Sequence, residues 1–309
     1  MNPTLSKENA APRLRKPRLL IVGCGDVGMR LLPWVCQRFR VYAVTSQPAR
    51  CAELRAAGAI PVVADLDHGI TLDRLARLAS IIVHLAPPQS EGLQDRRTRR
   101  LVTILPDGAR LVYVSTSGVY GDCDGARIDE TRPVAPRNLR ARRRVDAEQV
   151  LRAWGRRSGS RVAILRVPGI YAEDRLPLTR LQNGSPALLA EEDVYTNHIH
   201  ADDLARIIAL AIFRGQPGRV YHAVDNSEMK MAEYFDAVAD ACGMQRPLRL
   251  PRAELAGAVS PMLLSFMSES RRLSNTRLKN ELGVRLRYPT VQAMLAGMTP
   301  QITKHERDR

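Results

Sequence analysis

The sequence predicts an α/β chain built on a doubly wound parallel sheet, with a small C-terminal substrate-binding part. Three observations carry this reading. A short apolar run, Leu19–Val22, leads straight into Gly23, Gly25 and Gly28 at the spacing G-x-G-x-x-G. Similar apolar runs then recur, with helix-like segments between them, as far as Arg166; beyond it the alternation gives way to prolines and glycines. Strands covered on both faces read as continuous apolar runs, and their alternation with helices is the pattern of a parallel sheet.

Leu19–Val22 is the first strand, and the glycines after it have separate physical roles. The first permits a sharp turn, the second lets a pyrophosphate approach the backbone, and the third lets the next helix pack close to the strand. The unpaired N–H groups of that helix then attract negative phosphates. Val27, Leu31, Leu32 and Val35 have helical spacing, although Pro33 removes one backbone donor inside the helix. Further strands are predicted at Val41–Val44, Ile60–Val63, Ile81–His84, Leu111–Ser115 and Val162–Leu165, with helices at Ala49–Ala57, Leu72–Leu78, Arg97–Leu105 and Leu139–Trp154. Right-handed crossovers between them give the doubly wound sheet.

Past Arg166, Pro168, Gly169, Pro177, Gly184 and Pro186 mark an irregular insertion. A helix at Asp202–Phe213 and a strand at Val220–Val224 return the chain to the sheet, followed by an amphipathic helix at Met229–Cys242 and a tail of helices and one short edge strand. The expected division is a dinucleotide-binding domain at 17–170, rejoined by 198–225, a smaller substrate part at 171–197 and 226–303, and a disordered lead-in at 1–16. The pieces of the smaller part are each too short for an independent core. They are expected at the open C-terminal edge of the sheet, where ligands bind in such folds.

Composition narrows the function classes. Hydrophobic residues make up 45% and charged residues 26% of 309 residues, a globular balance. No apolar run is long enough to span a bilayer, and the N-terminus lacks the apolar core of a secretory signal. Cys24, Cys36, Cys51, Cys123 and Cys242 are scattered without a C-x-x-C, against a disulfide framework or a zinc site. His198 and His200 have no acidic or cysteine partner at ligand spacing, so they are read as part of a short strand and no metal is expected. A reducing cytoplasm fits these features. The net charge of +15 is almost all arginine, dispersed along helices without a nucleic-acid motif. It reads as a solvated basic surface that favours small anionic partners over nucleic acid or membrane.

Several further segments carry a resemblance: VADLD at Val63–Asp67, HLAPP at His84–Pro88, VSTSGVYGD at Val114–Asp122, LRVPGIY at Leu165–Tyr171, IHADDLA at Ile199–Ala205 and SNTRLKNELG at Ser274–Gly283. In this order, and with the glycine turn, they resemble the extended short-chain dehydrogenases/reductases of the NAD-dependent epimerase/dehydratase group, and more narrowly its atypical branch. The resemblance covers Arg18 to about Gly297. It implies a Rossmann fold, NADP or NAD as cofactor, and a small anionic substrate of which a nucleotide-sugar is one example; a homodimer is compatible with it. The expected cofactor residues are Gly23, Gly25, Asp26, Val27, Gly28, Thr45, Ser46, Arg50, Asp65, Leu66, Leu85, Ala86, Pro87 and Pro168.

The residues support this reading in part. Asp65 or Asp67 can accept from an adenine amino group, or cap the next helix. His84 reads as a hydrogen-bonded core histidine, and Asp202 and Asp203 as helix caps. Thr116 stands four residues before Tyr120, where the family's hydroxyl residue bonds the reacting oxygen; the competing reading is a turn residue bonding its own backbone. The second strand ends in Thr45 and Ser46, with Arg50 beyond and no acid to repel a 2′-phosphate, so NADP(H) is expected to be accepted at least as well as NAD(H).

The departure lies in the next helix. The family's Tyr-x-x-x-Lys pair is replaced by Arg140 and Arg144, and no Tyr or Lys occurs between Gly121 and Ile170. Arginine stays protonated and cannot act as a general base, though it binds anions well. Thr116, Arg140 and Arg144 are therefore the candidate catalytic residues, the two arginines as an anion clamp or as exposed surface charges. The rival to an enzyme is a non-catalytic NAD(P)-binding sensor or scaffold.

Overall fold

A computed structural model describes residues 15–298; the expected disordered lead-in lies, but for its last two residues, outside the described residues. Seven parallel strands form the central sheet: β1 (Arg18–Val22), β2 (Arg40–Thr45), β3 (Ile60–Val63), β4 (Ile81–His84), β5 (Arg110–Thr116), β6 (Arg161–Val167) and β7 (Val220–His222). Their order is β7-β6-β5-β4-β1-β2-β3, so strand order reverses beside β1. The crevice at that reversal, outside the strand C-termini, is where such sheets take ligands.

Residue alternation sorts the two faces. Leu19 and Ile21 of β1 point into one buried layer with α1 (Asp26–Val35) and the helix Ala201–Arg214. Leu20 and Val22 point into the other, where the layer includes Leu101 of α2 (Arg96–Ile104) and Ala147, Leu151 and Trp154 of α3 (Leu139–Ser158). Asn138 caps α3 by accepting from Ala141 N, and Gly159 closes it in the left-handed conformation. Pro33 is accommodated within α1.

Four expectations change in detail. Leu72–Leu78 forms no α-helix; a 3-10 turn at Gly69–Leu75 buries Leu72 and Leu75, whose three-residue spacing suits its tighter pitch. Ala49–Ala57 divides into a 3-10 turn at Pro48–Arg50 and a helix at Cys51–Ala56. The tail strand Arg272–Leu273 pairs with Arg127–Ile128 rather than joining the main sheet. Finally, the short C-terminal pieces do share a core: Tyr171, Leu188, Phe235, Val238, Leu255 and Met294 belong to one buried cluster. No single segment could have shown this, because each contributes only a few of its side chains.

Candidate functional site

Two cavities open at the C-terminal edge of the sheet. The first, of about 360 Å³, lies over the glycine turn. Gly23 has φ +83°, and a Cβ there would sit 2.6 Å from the backbone of Ala86, so this position requires glycine twice over. A Cβ at Gly28 would meet Cys24 Sγ at 2.9 Å. Gly25 differs: nothing lies within 4 Å of its Cβ position, and its φ of −82° suits any residue. No side chain caps α1, and its first internal bond runs from Met29 N to Gly25 O. The first-turn N–H groups thus face an open cradle, which fits the pyrophosphate of a dinucleotide.

The rim of this cleft is basic. Arg50 donates through Nη1 to Cys24 O at 2.6 Å and pairs with Glu53, while Arg97 pairs with Asp67 and donates to Pro87 O. Pairing holds the Asp67 and Glu53 carboxyls below their usual range, through their hydrogen bonds with Arg97 and Arg50 respectively. Asp65 accepts from Asp67 N and lies beside His68. Burial pushes the Cys24 thiol up to about 11, so it lines the cleft as an inert wall.

The second cavity, of about 410 Å³, lies beyond the end of β5. Thr116, at the strand's last position, accepts from Gly118 N at 3.2 Å and keeps its hydroxyl proton free to donate. The turn reading of Thr116 is thus met, and its hydroxyl proton is not used by another group among the described residues. Arg140, in the first turn of α3, lies over Phe266, its guanidinium carbon 4.5 Å from the ring centroid. Burial lowers its pKa, yet it has no ion pair or hydrogen bond among the described residues. Facing it are side chains from distant segments: Tyr171, Tyr195, His198, Tyr234, Phe235, Glu269 and Arg271. Tyr171 gives its hydroxyl to Asp225, whereas those of Tyr195 and Tyr234 have no partner among the described residues.

Beneath the cavity runs a chain of buried polar groups. Arg166 and Glu148, 5% and 3% exposed, form a two-pronged pair, and Ser115 donates to Glu148. Arg166 also donates to Tyr120 Oη, which lies against His222 Nε2, while His222 Nδ1 meets Ser274 O. The tautomer consistent with this chain carries its proton on Nδ1. Burial holds His222 neutral, down to about 3.

The structure brings Thr116 and Arg140 into one cavity but not Arg144. Arg144 Nη1 donates to Tyr113 Oη and Val114 O, both at 2.9 Å, so the two arginines do not converge on one cavity as a clamp would need, and Arg144 is not an exposed surface charge either. Its longer, branched head reaches strand acceptors beneath the cavity. Of the expected cofactor residues, Gly23, Gly25, Thr45, Ser46, Arg50, Asp65, Leu66, Ala86 and Pro87 line the glycine cleft. Gly28 and Val27 lie behind it in the packing of α1, and Leu85 N bonds Val22 O. Asp26 is held by Arg30 and Arg175, while Pro168 lines the other cavity. His84 is a core histidine bonded to Thr98, as expected. The cap of Ala201–Arg214 is instead His200, which accepts from Asp202 N; Asp203 accepts from Arg287 N and Tyr288 N and so anchors the tail. Arg97, Tyr234, His198 and Arg271 were missed because no local spacing marks them.

The family profile described as RmlD substrate binding domain matches residues 100–298. A dTDP-glucose 4,6-dehydratase of Streptomyces niveus is 30% identical over 142 residues, 43% of this chain and 42% of that protein. The chain thus matches less than half the length of such dehydratases. Among solved structures, a functionally unknown conserved protein from Silicibacter pomeroyi is 29% identical with a TM-score of 0.72, covering 91% of this chain and 98% of that one. A dTDP-glucose 4,6-dehydratase from Streptomyces venezuelae, with NAD and DAU bound, superposes with a TM-score of 0.71 over 91% of this chain and 96% of that one; at 22% identity it shows the shared fold.

Proposed function

The chain belongs to the RmlD substrate binding domain family, within the extended short-chain dehydrogenases/reductases of the NAD-dependent epimerase/dehydratase group, and from that premise we propose that it is an NAD(P)-dependent enzyme of the epimerase/dehydratase or reductase type acting on a small anionic molecule. The observation that supports this most is the pairing of two cavities at one sheet edge: an uncapped helix N-terminus at open Gly25, and a separate pocket holding Thr116 and an unpaired Arg140. When bound, a nicotinamide dinucleotide supplies or accepts hydride.

The chain's own residues divide the remaining work. Gly23, Gly25 and the first turn of α1 would hold the pyrophosphate. Thr116 would donate to the oxygen on the reacting carbon, steadying negative charge there. Arg140 would hold the anionic group. With the Tyr-x-x-x-Lys pair replaced, a proton would come from Tyr195, Tyr234 or water. Burial raises the Tyr234 pKa, so this hydroxyl keeps its proton and suits a donor better than a base. Positioned acid/base catalysis contributes about 10²–10⁴-fold, so turnover is expected to fall short of relatives that retain the pair by about that factor.

The test is a panel of nucleotide-sugars and simple carbonyls followed at the nicotinamide absorbance, with Thr116→Ala, Arg140→Ala and Arg144→Ala beside the wild type. Loss of turnover in Thr116→Ala and Arg140→Ala supports the assignment. Turnover that survives all three substitutions places the reacting centre elsewhere, and nucleotide binding without any turnover favours the sensor reading, which the replaced proton-transfer pair motivates.

A further inference from the structure

We infer that the pocket beside Thr116 is built for a singly charged carboxylate on an apolar, preferably aromatic, body, and not for a nucleoside diphosphate. This rests on the reading of that pocket as the substrate site. Charge on its walls supports the choice. Arg140 is a wall cation with no ion pair or hydrogen bond among the described residues, although the Glu269 carboxylate is near enough to favour its charge. Arg271, which also lines it, is committed through Nη1 to Glu269 and to Gly121 O. Glu269 itself lines the pocket and is 8% exposed, its charge balanced by Arg271. A diphosphate entering there would find the single positive charge of Arg140 beside an Arg271–Glu269 pair that is already neutralised. A single carboxylate can take both prongs of that guanidinium and matches its one charge.

The rest of the wall selects the body of the ligand. Tyr234, Phe235 and Phe266 offer aromatic surface, and Met231, Leu263 and Ile170 apolar surface. His198 is 5% exposed, lies 4.4 Å from Tyr234 between ring centroids, and has an Nδ1 without a partner. A buried polar atom left unbonded is unfavourable, and a ligand group hydrogen-bonded to it would offset that cost. Burial also keeps this imidazole neutral, so it adds no second positive charge for a phosphate. Phe266 holds the Arg140 guanidinium by a cation–π contact, which uses none of its hydrogen-bond donors.

The experiment uses the full chain saturated with NADPH and reads ligand affinity by calorimetry. The probes are phenylpyruvate, its neutral amide, dTDP-glucose and UDP-glucose, each against wild type, Arg140→Ala and Arg140→Lys. Phenylpyruvate is expected to bind wild type roughly 10- to 100-fold more tightly than its amide, the range of a charge-assisted bond. In Arg140→Ala that gap should close, with partial recovery in Arg140→Lys; a merely structural role for Arg140 would weaken acid and amide alike. Tighter binding of either nucleotide-sugar, equal affinity of acid and amide in wild type, or no binding of any probe to NADPH-loaded protein overturns the inference. Failure of NADPH itself to bind would instead overturn the cofactor reading, and the titration before ligand addition separates the two.

Discussion

The glycine cleft and the pocket beside Thr116 are of similar volume but are made of different material. The cleft is lined largely by backbone and small residues from β1, β2 and the turns after β3 and β4. The pocket is walled by long side chains drawn from residues as far apart as Thr116 and Arg271. Backbone geometry follows from a local spacing of glycines, whereas a wall of side chains exists only once the chain has folded. A cleft of the first kind has little freedom to change its ligand. A pocket of the second kind can change one residue at a time.

The largest expected effect tests the cleft against itself. Gly25→Asp puts a charge into open space, so folding should be almost unaffected while NAD(P)H affinity falls by at least about 100-fold, a loss of about 2.7 kcal/mol or more. Gly23→Ala should do the opposite. Its Cβ meets the Ala86 backbone in a left-handed conformation, costing roughly 2–5 kcal/mol of stability. Calorimetric titration and denaturant melts on both variants read the two effects; unchanged binding in folded Gly25→Asp would remove the pyrophosphate from this turn.

An intermediate effect concerns acid stability. His84, His198 and His222 are each pushed down to about 3 by burial. Below pH 6.5 the unfolded chain takes up protons that the folded chain refuses, so stability falls as pH drops from 6.5 towards 3, by up to about 1.4 kcal/mol per pH unit for each histidine. Asp225 has the opposite sign. Burial raises it to about 7, so its contribution is full below about pH 4 and is lost as pH rises towards 7. His198→Gln should flatten the acid limb of a stability profile, and Asp225→Asn the limb between pH 4 and 7. Unchanged slopes would mean that water reaches these groups.

The smallest effect concerns cofactor choice. Glu53 occupies the guanidinium that a 2′-phosphate would use. Glu53→Ala should therefore shift preference towards NADPH by a few-fold, the scale of an exposed ion pair, and Arg50→Ala should shift it towards NADH. A wild-type preference for NADH of tenfold or more would overturn the expectation drawn from Thr45, Ser46 and Arg50.

How much was legible in the sequence follows the same division. β1, the glycine turn and the strands through β6 could be read from apolar runs and spacing, while the cleft-lining Asp65, Leu66, Ala86 and Pro87 were legible only through the resemblance of their segments to the family. Thr116 was legible because it follows a run read as a central strand and because the family that the chain resembles carries a hydroxyl residue four before the matching tyrosine. Arg144 was not, since position on a helix face gives a direction but not the acceptors, Tyr113 Oη and Val114 O, waiting within the reach of a longer side chain. Tyr234, Phe266 and Arg271 had no local signal. They converge through the shared C-terminal core, a property of no single segment.

The buried pair of Glu148 and Arg166 has a consequence for how this lineage can change. Removing one partner leaves the other charge stranded, at a cost of about 3–5 kcal/mol, against a typical total stability of about 5–15 kcal/mol. Either replacement alone would take much of the margin, while a matched apolar pair could be neutral. Positions 148 and 166 therefore constitute a single heritable unit, expected to be kept or exchanged together among descendants. The surface arginines of the same helix remain free to drift one by one.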